Sequence, residues 1–161
     1  MKVVVNATPI IALSRIKKLE LLHKLYGRVY IATEVFAETV EYAKGKPDVG
    51  TIEESSSFIE VTEVKNTLSV EMLLTELDRG ESETIVLAKE INADLVVIDE
   101  KLGREIAASK GLSVTGTIGV LIEAKYRKLI PAVREYIDLL KDKGIWVSTE
   151  LYNQVIKQLK E

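Results

Sequence analysis

Short uninterrupted apolar runs alternate along this chain with longer segments of helical period, and that alternation leaves few folds open. Val3–Val5, Val29–Ile31 and Leu95–Ile98 are apolar at every position. They are too short for helices, so they read as strands buried on both faces. Phe58–Val64 is β-rich but interleaved with Glu60 and Glu63, the pattern of an edge strand or surface ribbon. Ser113–Val114 and Ile145–Val147 are two briefer strand candidates. Buried strands separated by helices predict a three-layer α/β/α sandwich with a central, mostly parallel twisted sheet.

The helical segments carry their own start and stop signals. Pro9–Arg15 and Lys18–Leu25 form an early pair, and Thr33 is placed to cap a helix reaching Lys44, where Gly45 and Pro47 end it. Leu68–Leu77 stops at Asp78-Arg79-Gly80 and Glu81–Ile91 follows. Lys101–Lys110 has Gly111 in the position past a helix end. Ile118–Lys128 leads to Pro131, suited to the first turn of a helix reaching Lys143. Ser148 is placed to cap a last helix in which Leu151, Val155 and Leu159 recur every four residues. With 161 residues, no repeat and no Pro- or Ser-rich linker, the expectation is one domain over residues 1–161, with 131–161 as a C-terminal helical and strand extension packed on it.

Composition narrows the chemistry. There are no cysteines and a single histidine, His23. That excludes disulfides, thiolate nucleophiles, Cys-ligated zinc, iron–sulfur clusters and multi-histidine metal sites. No G-x-S-x-G elbow accompanies the one imidazole, and no G-x-G-x-x-G or Walker lysine loop follows a strand. A net charge of −3 speaks against a uniformly basic nucleic-acid-binding surface while leaving room for a local basic patch. No apolar stretch is long enough to span a membrane, and the N-terminal run lacks a signal-peptide pattern. The expected compartment is therefore the cytoplasm. What remains for chemistry is oxygen, from carboxylates, hydroxyls and carboxamides, acting through a hard cation.

In doubly wound sheets, ligands bind beyond the carboxyl ends of the strands, where the strand order reverses. Here those ends read Asn6-Ala7-Thr8-Pro9 after Val5, Asp99-Glu100 after Ile98, and Thr115-Gly116-Thr117 after Val114. A carboxylate or carboxamide at two strand ends is the layout of a metal-assisted phosphoryl site. Asp99 is equally well placed to cap the helix at Lys101, and Asn6 to occupy a turn.

Two helices add acids. On Thr33–Lys44 the apolar face is Val35, Phe36, Val40 and Ala43. Glu34 and Glu41 fall outside it, while Glu38 lies nearer its Val35 edge, from which it can reach over the sheet end or simply solvate the surface. The helix of Gly80–Ala88 is apolar nearly all round, so two glutamates in its first turn need a reason: the positive helix end or a cation. Two residues apart, Glu81 and Glu83 point differently, and the helical wheel does not choose between them.

Taken in order, these pieces resemble a PIN domain, a family of small nucleases, and in particular an archaeal and bacterial branch of unknown function. The resemblance is carried by Val4-Val5-Asn6-Ala7-Thr8-Pro9-Ile10-Ile11-Ala12-Leu13, Gly80-Glu81-Ser82-Glu83 and Leu95-Val96-Val97-Ile98-Asp99-Glu100-Lys101-Leu102-Gly103-Arg104. Val114-Thr115-Gly116-Thr117-Ile118-Gly119-Val120-Leu121 and Gly144-Ile145-Trp146-Val147-Ser148 complete it, with Gly45–Leu77 the least diagnostic part. It implies an acidic quartet that binds Mg²⁺ or Mn²⁺ and activates water to cut RNA. Carried over by motif, the first acid falls on Asn6, the second on Glu38, the third on Glu83 with Glu81 as the alternative, and the fourth on Asp99. Thr8 matches a hydroxyl two places after the first acid, and Thr115 or Thr117 lines the same cleft. Asn6 departs from the family pattern, which has Asp there. A carboxamide oxygen can ligate a hard cation but brings no charge, so affinity for magnesium falls.

The implied function is a divalent-metal-dependent endoribonuclease that hydrolyses phosphodiesters of single-stranded RNA. Lys101 and Arg104, one turn apart, contact the substrate backbone or else form an ordinary solvated face. Asn6 favours one alternative, an inactive PIN-like module that binds RNA or a protein; a third option is the toxin half of a toxin–antitoxin pair with an antitoxin-like partner in the cleft. The stripes Val133, Ile137, Leu140 and Leu151, Val155, Leu159 close the core or, as the resemblance implies, join two copies in a homodimer.

Overall fold

A computed structural model describes residues 1–47 and 57–161; residues 48–56, within the least diagnostic stretch of the sequence, lie outside that description. The apolar runs become strands β1 (Val3–Val5), β2 (Val29–Ala32), β3 (Ile59–Thr62), β4 (Leu95–Val97) and β5 (Val114–Thr115). They form one sheet in the order β3-β2-β1-β4-β5, and every pairing is parallel. β1 lies at the centre and its three valines are fully buried, which is why the run has no polar side. β3 is an edge, with Val61 and Glu60 exposed. Glu60 on that strand deters pairing with another chain.

The chain steps outward from β1 through β2 to β3, then returns to lay β4 and β5 on the other side of β1. Right-handed crossovers in opposite directions put helices on opposite faces of the sheet. The connections are α1 (Ala7–Arg15), α2 (Glu20–Tyr26), α3 (Thr33–Ala43), α4 (Thr67–Leu73), α5 (Arg79–Glu90) and α6 (Lys101–Ser109); α7 (Thr117–Tyr126), α8 (Arg134–Asp142) and α9 (Thr149–Leu159) follow the last strand. The result is a three-layer α/β/α sandwich. α5 packs on β1, β2 and β4 while α4 covers its outer side, which explains a helix apolar nearly all round. No helix among the described residues is long and apolar enough to cross a membrane.

The C-terminal stripes mostly close the core, since Val133, Ile137, Leu140 and Val155 are all buried in it. Glu161 ties the end down by accepting from the Val133 and Arg134 backbone N–H groups, both at 2.9 Å, and by pairing with Lys125. Its carboxylate occupies the N-terminus of α8, so that helix begins at Arg134 and not at Pro131.

Two further expectations need correction. Ile145–Val147 is not a strand. Gly144 takes a left-handed φ of 83°, and the Ile145 N–H turns back to the Leu140 carbonyl at 2.9 Å. This closes the end of α8 and leaves Trp146 84% exposed. Thr33 is not the cap of α3 either. It is the first helical residue, and the Ala32 position before it offers no side-chain acceptor.

Candidate functional site

Strand order reverses between β1 and β4, and their carboxyl ends are joined by the Asn6 N–H donating to the Val97 carbonyl at 2.9 Å. Asn6 is 3% exposed and sits at the N-cap of α1 without using its side chain there. Its Nδ2 donates to Glu100 Oε2 at 3.3 Å, and Thr8, the second residue of α1, donates from Oγ1 to Glu100 Oε1 at 2.7 Å. Its Oδ1 lies 3.2 Å from Thr84 Oγ1 on α5, a hydroxyl that also reaches the Gly80 carbonyl at 2.8 Å. One hydroxyl proton cannot serve both acceptors fully, and the shorter bond to Gly80 is the better one. The amide orientation follows from Glu100: reversed, Asn6 would set an oxygen against a carboxylate.

Glu38 reaches this place from α3. Its carboxylate lies against Gly80, in the space a side chain at that position would need. Burial pushes Glu38 up to about 7, helped by Asp78, Glu34, Glu100 and Glu81. All four of these charges are negative. Glu81 is nearly buried and forms a capping box with Asp78, its Oε1 accepting from the Asp78 N–H at 3.1 Å and its own N–H donating to Asp78 Oδ1 at 2.8 Å. Burial raises it to about 7 as well; its backbone bond to Asp78 opposes the shift, while the Asp78 and Glu100 charges add to it. Glu81 Oε2 also lies against Gly103 of α6.

Glu83 is engaged elsewhere. Its Oε1 accepts from the Glu34 N–H at 3.2 Å and its Oε2 is 4.0 Å from Arg79. It therefore occupies the N-terminus of α3, the position the sequence assigned to Thr33.

Asp99 points the other way. It does not cap α6, whose N-cap is Glu100. Instead it accepts from the Thr117 N–H and Thr117 Oγ1, both at 2.7 Å, across the start of α7. Burial raises its pKa, opposed by those two bonds and by the Arg104 charge. Arg104 donates to the Ile98 carbonyl at 3.2 Å. Asp99, Lys101, Arg104 and Thr115 line one cleft of about 470 Å³, walled on its far side by α9. Lys101 and Arg104 thus face a cavity rather than a plain solvated surface.

The structure brings Asn6, Thr8, Glu38 and Glu81 together around Glu100, and gathers Asp99, Thr115, Thr117, Lys101 and Arg104 on the adjoining side. Glu100 is the residue that sequence reasoning passed over. The signal was present in the Asp99-Glu100 pair, because consecutive residues leaving a strand point to opposite sides. One turns toward β1 and the other toward β5.

Among the described residues, no three Asp, Glu, His or Cys side chains already converge as a metal-binding group. The donor set nonetheless suits a hard divalent cation. It is all oxygen, and Glu38 and Glu81 are surrounded by negative charge that such an ion would neutralise.

Similarity to known proteins bears on the same point. A PilT N-terminus domain protein from the hyperthermophilic archaeon Sulfolobus solfataricus P2 shares the fold, with a TM-score of 0.55 and 17% identity over 77% of this chain and 93% of that one. Comparison with curated proteins finds no match. The family model DUF3368, described as a PIN domain, matches residues 2–161. With that match spanning the sheet, the helices and the acid cluster alike, the chain belongs to this PIN domain family.

Proposed function

We propose that the chain binds single-stranded RNA and hydrolyses its phosphodiesters with Mg²⁺ or Mn²⁺. One observation carries this reading: carboxylates from α3, α5 and the end of β4 crowd the switch point of the sheet, with Glu38 and Glu81 lifted to about 7. Glu38, Glu81 and Glu100 would hold the cation, with Asp99 on the adjoining wall. Glu81 is preferred to Glu83 because Glu83 already serves the Glu34 N–H and Arg79. When bound, the cation would acidify water and polarise a phosphoryl oxygen.

The remaining steps belong to the chain. With the cation bound, the negative crowding that joins burial in lifting Glu38 to about 7 would be neutralised, so Glu38 would give up its proton and its carboxylate would help orient the attacking water. Thr8 and Thr117 hold Glu100 and Asp99 in fixed orientations. Lys101 and Arg104 neutralise the backbone phosphates of the substrate.

A second reading is favoured by Asn6, whose Nδ2 satisfies Glu100 without any cation. On that reading the module binds RNA but does not cut it. Incubation of end-labelled single-stranded RNA with Mn²⁺, together with calorimetry of Mn²⁺ binding, separates the two. Cleavage that disappears in Asp99→Asn and Glu81→Gln but survives in Glu83→Gln supports the nuclease and its ligand set. RNA binding without cleavage, in the wild type and in Asn6→Asp alike, establishes the second reading. If Glu83→Gln abolishes Mn²⁺ binding and Glu81→Gln does not, the assignment of Glu81 is wrong.

A further inference from the structure

We infer that the cleft between α6, α7 and α9 is a nucleobase subsite, in which Gln154 and Gln158 read the edge of one unpaired base next to the scissile phosphate. The inference rests on the RNA-binding reading above and adds to it where and how a base is recognised. The cleft begins at Asp99 and Gly116, so it is continuous with the adjoining wall of the acid cluster. Its volume of about 470 Å³ falls within the ~300–1,000 Å³ typical of small-ligand sites.

Three chemically different surfaces meet there. Lys101 and Arg104 line one part of the cleft, and Lys101 makes no ion pair among the described residues. Ile118 and Ile122, one turn apart on α7, form an apolar wall. Gln154 and Gln158 complete it from α9. Four residues apart, they share one face of that helix. Neither carboxamide has a hydrogen-bond partner among the described residues, so each keeps both a donor and an acceptor to offer. A single-stranded nucleotide presents the complementary set: an anionic phosphate, a flat apolar ring face and a hydrogen-bonding base edge. A duplex has that edge already paired and lies outside this description.

The reading wall is also held firmly. Val155 between the two glutamines is buried. Tyr152 accepts from Arg134 Nε at 3.0 Å, and the carboxylate of Glu161 beyond the helix holds the start of α8. A base edge is discriminated well only by groups on rigid supports.

The test measures fluorescence anisotropy of four labelled single-stranded homopolymer RNA hexamers in EDTA, which separates binding from cleavage. The wild type is expected to prefer one base over the poorest by between about 5- and 100-fold, the range of a good amide-to-base pairing. Gln154→Ala/Gln158→Ala should bind all four about equally while retaining the salt dependence. Lys101→Ala should weaken all four alike and lower the salt slope by roughly 0.7. Both glutamines are exposed and alanine is the best helix former, so circular dichroism should report an unchanged fold. Equal binding of all four by the wild type, or an unchanged preference in the double variant, overturns the subsite and leaves RNA binding standing. Absence of binding to any hexamer overturns both.

Discussion

Restoring an acid at position 6 tests the electrostatic logic of the site directly. Asn6 Nδ2 lies 3.3 Å from Glu100 Oε2, and Asn6→Asp would replace that donor with a second carboxylate. Two unit charges at such a separation repel by about 5 kcal/mol at an effective dielectric of about 20. The protein limits this cost by binding a proton. For a carboxyl of ordinary pKa about 4.3, protonation at neutral pH costs about 3.7 kcal/mol. Small rotations lower the figure further, so the expected destabilisation is about 2–4 kcal/mol without metal. For a domain of this length that lowers the melting temperature by roughly 5–15 °C.

The sign with pH follows from the shared proton. The folded pair has a raised pKa, so the folded state holds more protons than the unfolded one. The variant should therefore melt close to the wild type near pH 4, and the gap should widen as pH rises through the folded pKa. Mn²⁺ supplies the missing positive charge and should close the gap at about pH 8, with a larger metal-induced rise in Asn6→Asp than in the wild type. Thermal melts in EDTA and in Mn²⁺, at about pH 5 and about pH 8, read all of this. Equal melting of the two proteins in EDTA at the higher pH would refute the opposition of residue 6 and Glu100.

Glu38→Gln should change the pH dependence of stability in the reverse sense. Glu38 is raised from 4.5 to about 7, so its neutral form supports the fold at low pH and that support is lost as pH rises between those values. The variant should be more stable than the wild type at about pH 8 by on the order of 1 kcal/mol, allowing for solvent screening, with little difference at about pH 4.5 in denaturant titrations. Gly80→Ala places a methyl group where the Glu38 carboxylate lies. Because the end of a flexible side chain can move aside, stability should hold within about 1 kcal/mol while Mn²⁺ affinity by calorimetry falls about tenfold or more. Gly103→Ala instead meets Ile98 Cδ1 at 2.8 Å, a buried neighbour, and should cost about 1–3 kcal/mol in the same titrations. Thr117→Val removes one of the two donors to Asp99 and should destabilise by about 1.5–3 kcal/mol at neutral pH.

The layered fold was legible because burial on two faces leaves a mark that local sequence carries by itself. Three consecutive valines at β1 have nowhere else to go, and the charges of Phe58–Val64 announce an edge. Ile145–Val147 misleads for the same reason: an apolar triplet looks alike whether it pairs with a strand or follows a helix cap. What separates the two cases is the Ile145 bond to Leu140, a property of the Gly144 backbone. At the site, residue types were legible and directions were not. Asp99 has its partner Thr117 eighteen residues further on, beyond any local capping rule. Glu81 and Glu83 differ in partners that lie outside the helical wheel: Glu81 closes a capping box with Asp78 and lies against Gly103 of α6, whereas Glu83 accepts from the Glu34 N–H of α3. Glu38 reaches the cluster because Gly80 leaves it room, a contact between helices that no single-helix periodicity reveals.

The adjacent acids at the end of β4 divide one site into two electrostatic halves. Glu100 turns into a pocket of other carboxylates, where the donors of Asn6 and Thr8 are the ones that balance it among the described residues. Asp99 turns toward Thr117 and Arg104, which oppose the effect of its burial. The first half gains most from a divalent cation, whereas the second already carries its counter-charge and opens into a cleft with Lys101. In the proposed function, substrate phosphate and catalytic metal would therefore meet different needs on the two sides of one strand end. A carboxamide in place of a carboxylate at position 6 would weaken the metal half without touching the phosphate half. Under the proposed function, such a chain would hold RNA well while binding its cation poorly, and the absence of an acid at position 6 would bear on the rate of cleavage far more than on recognition.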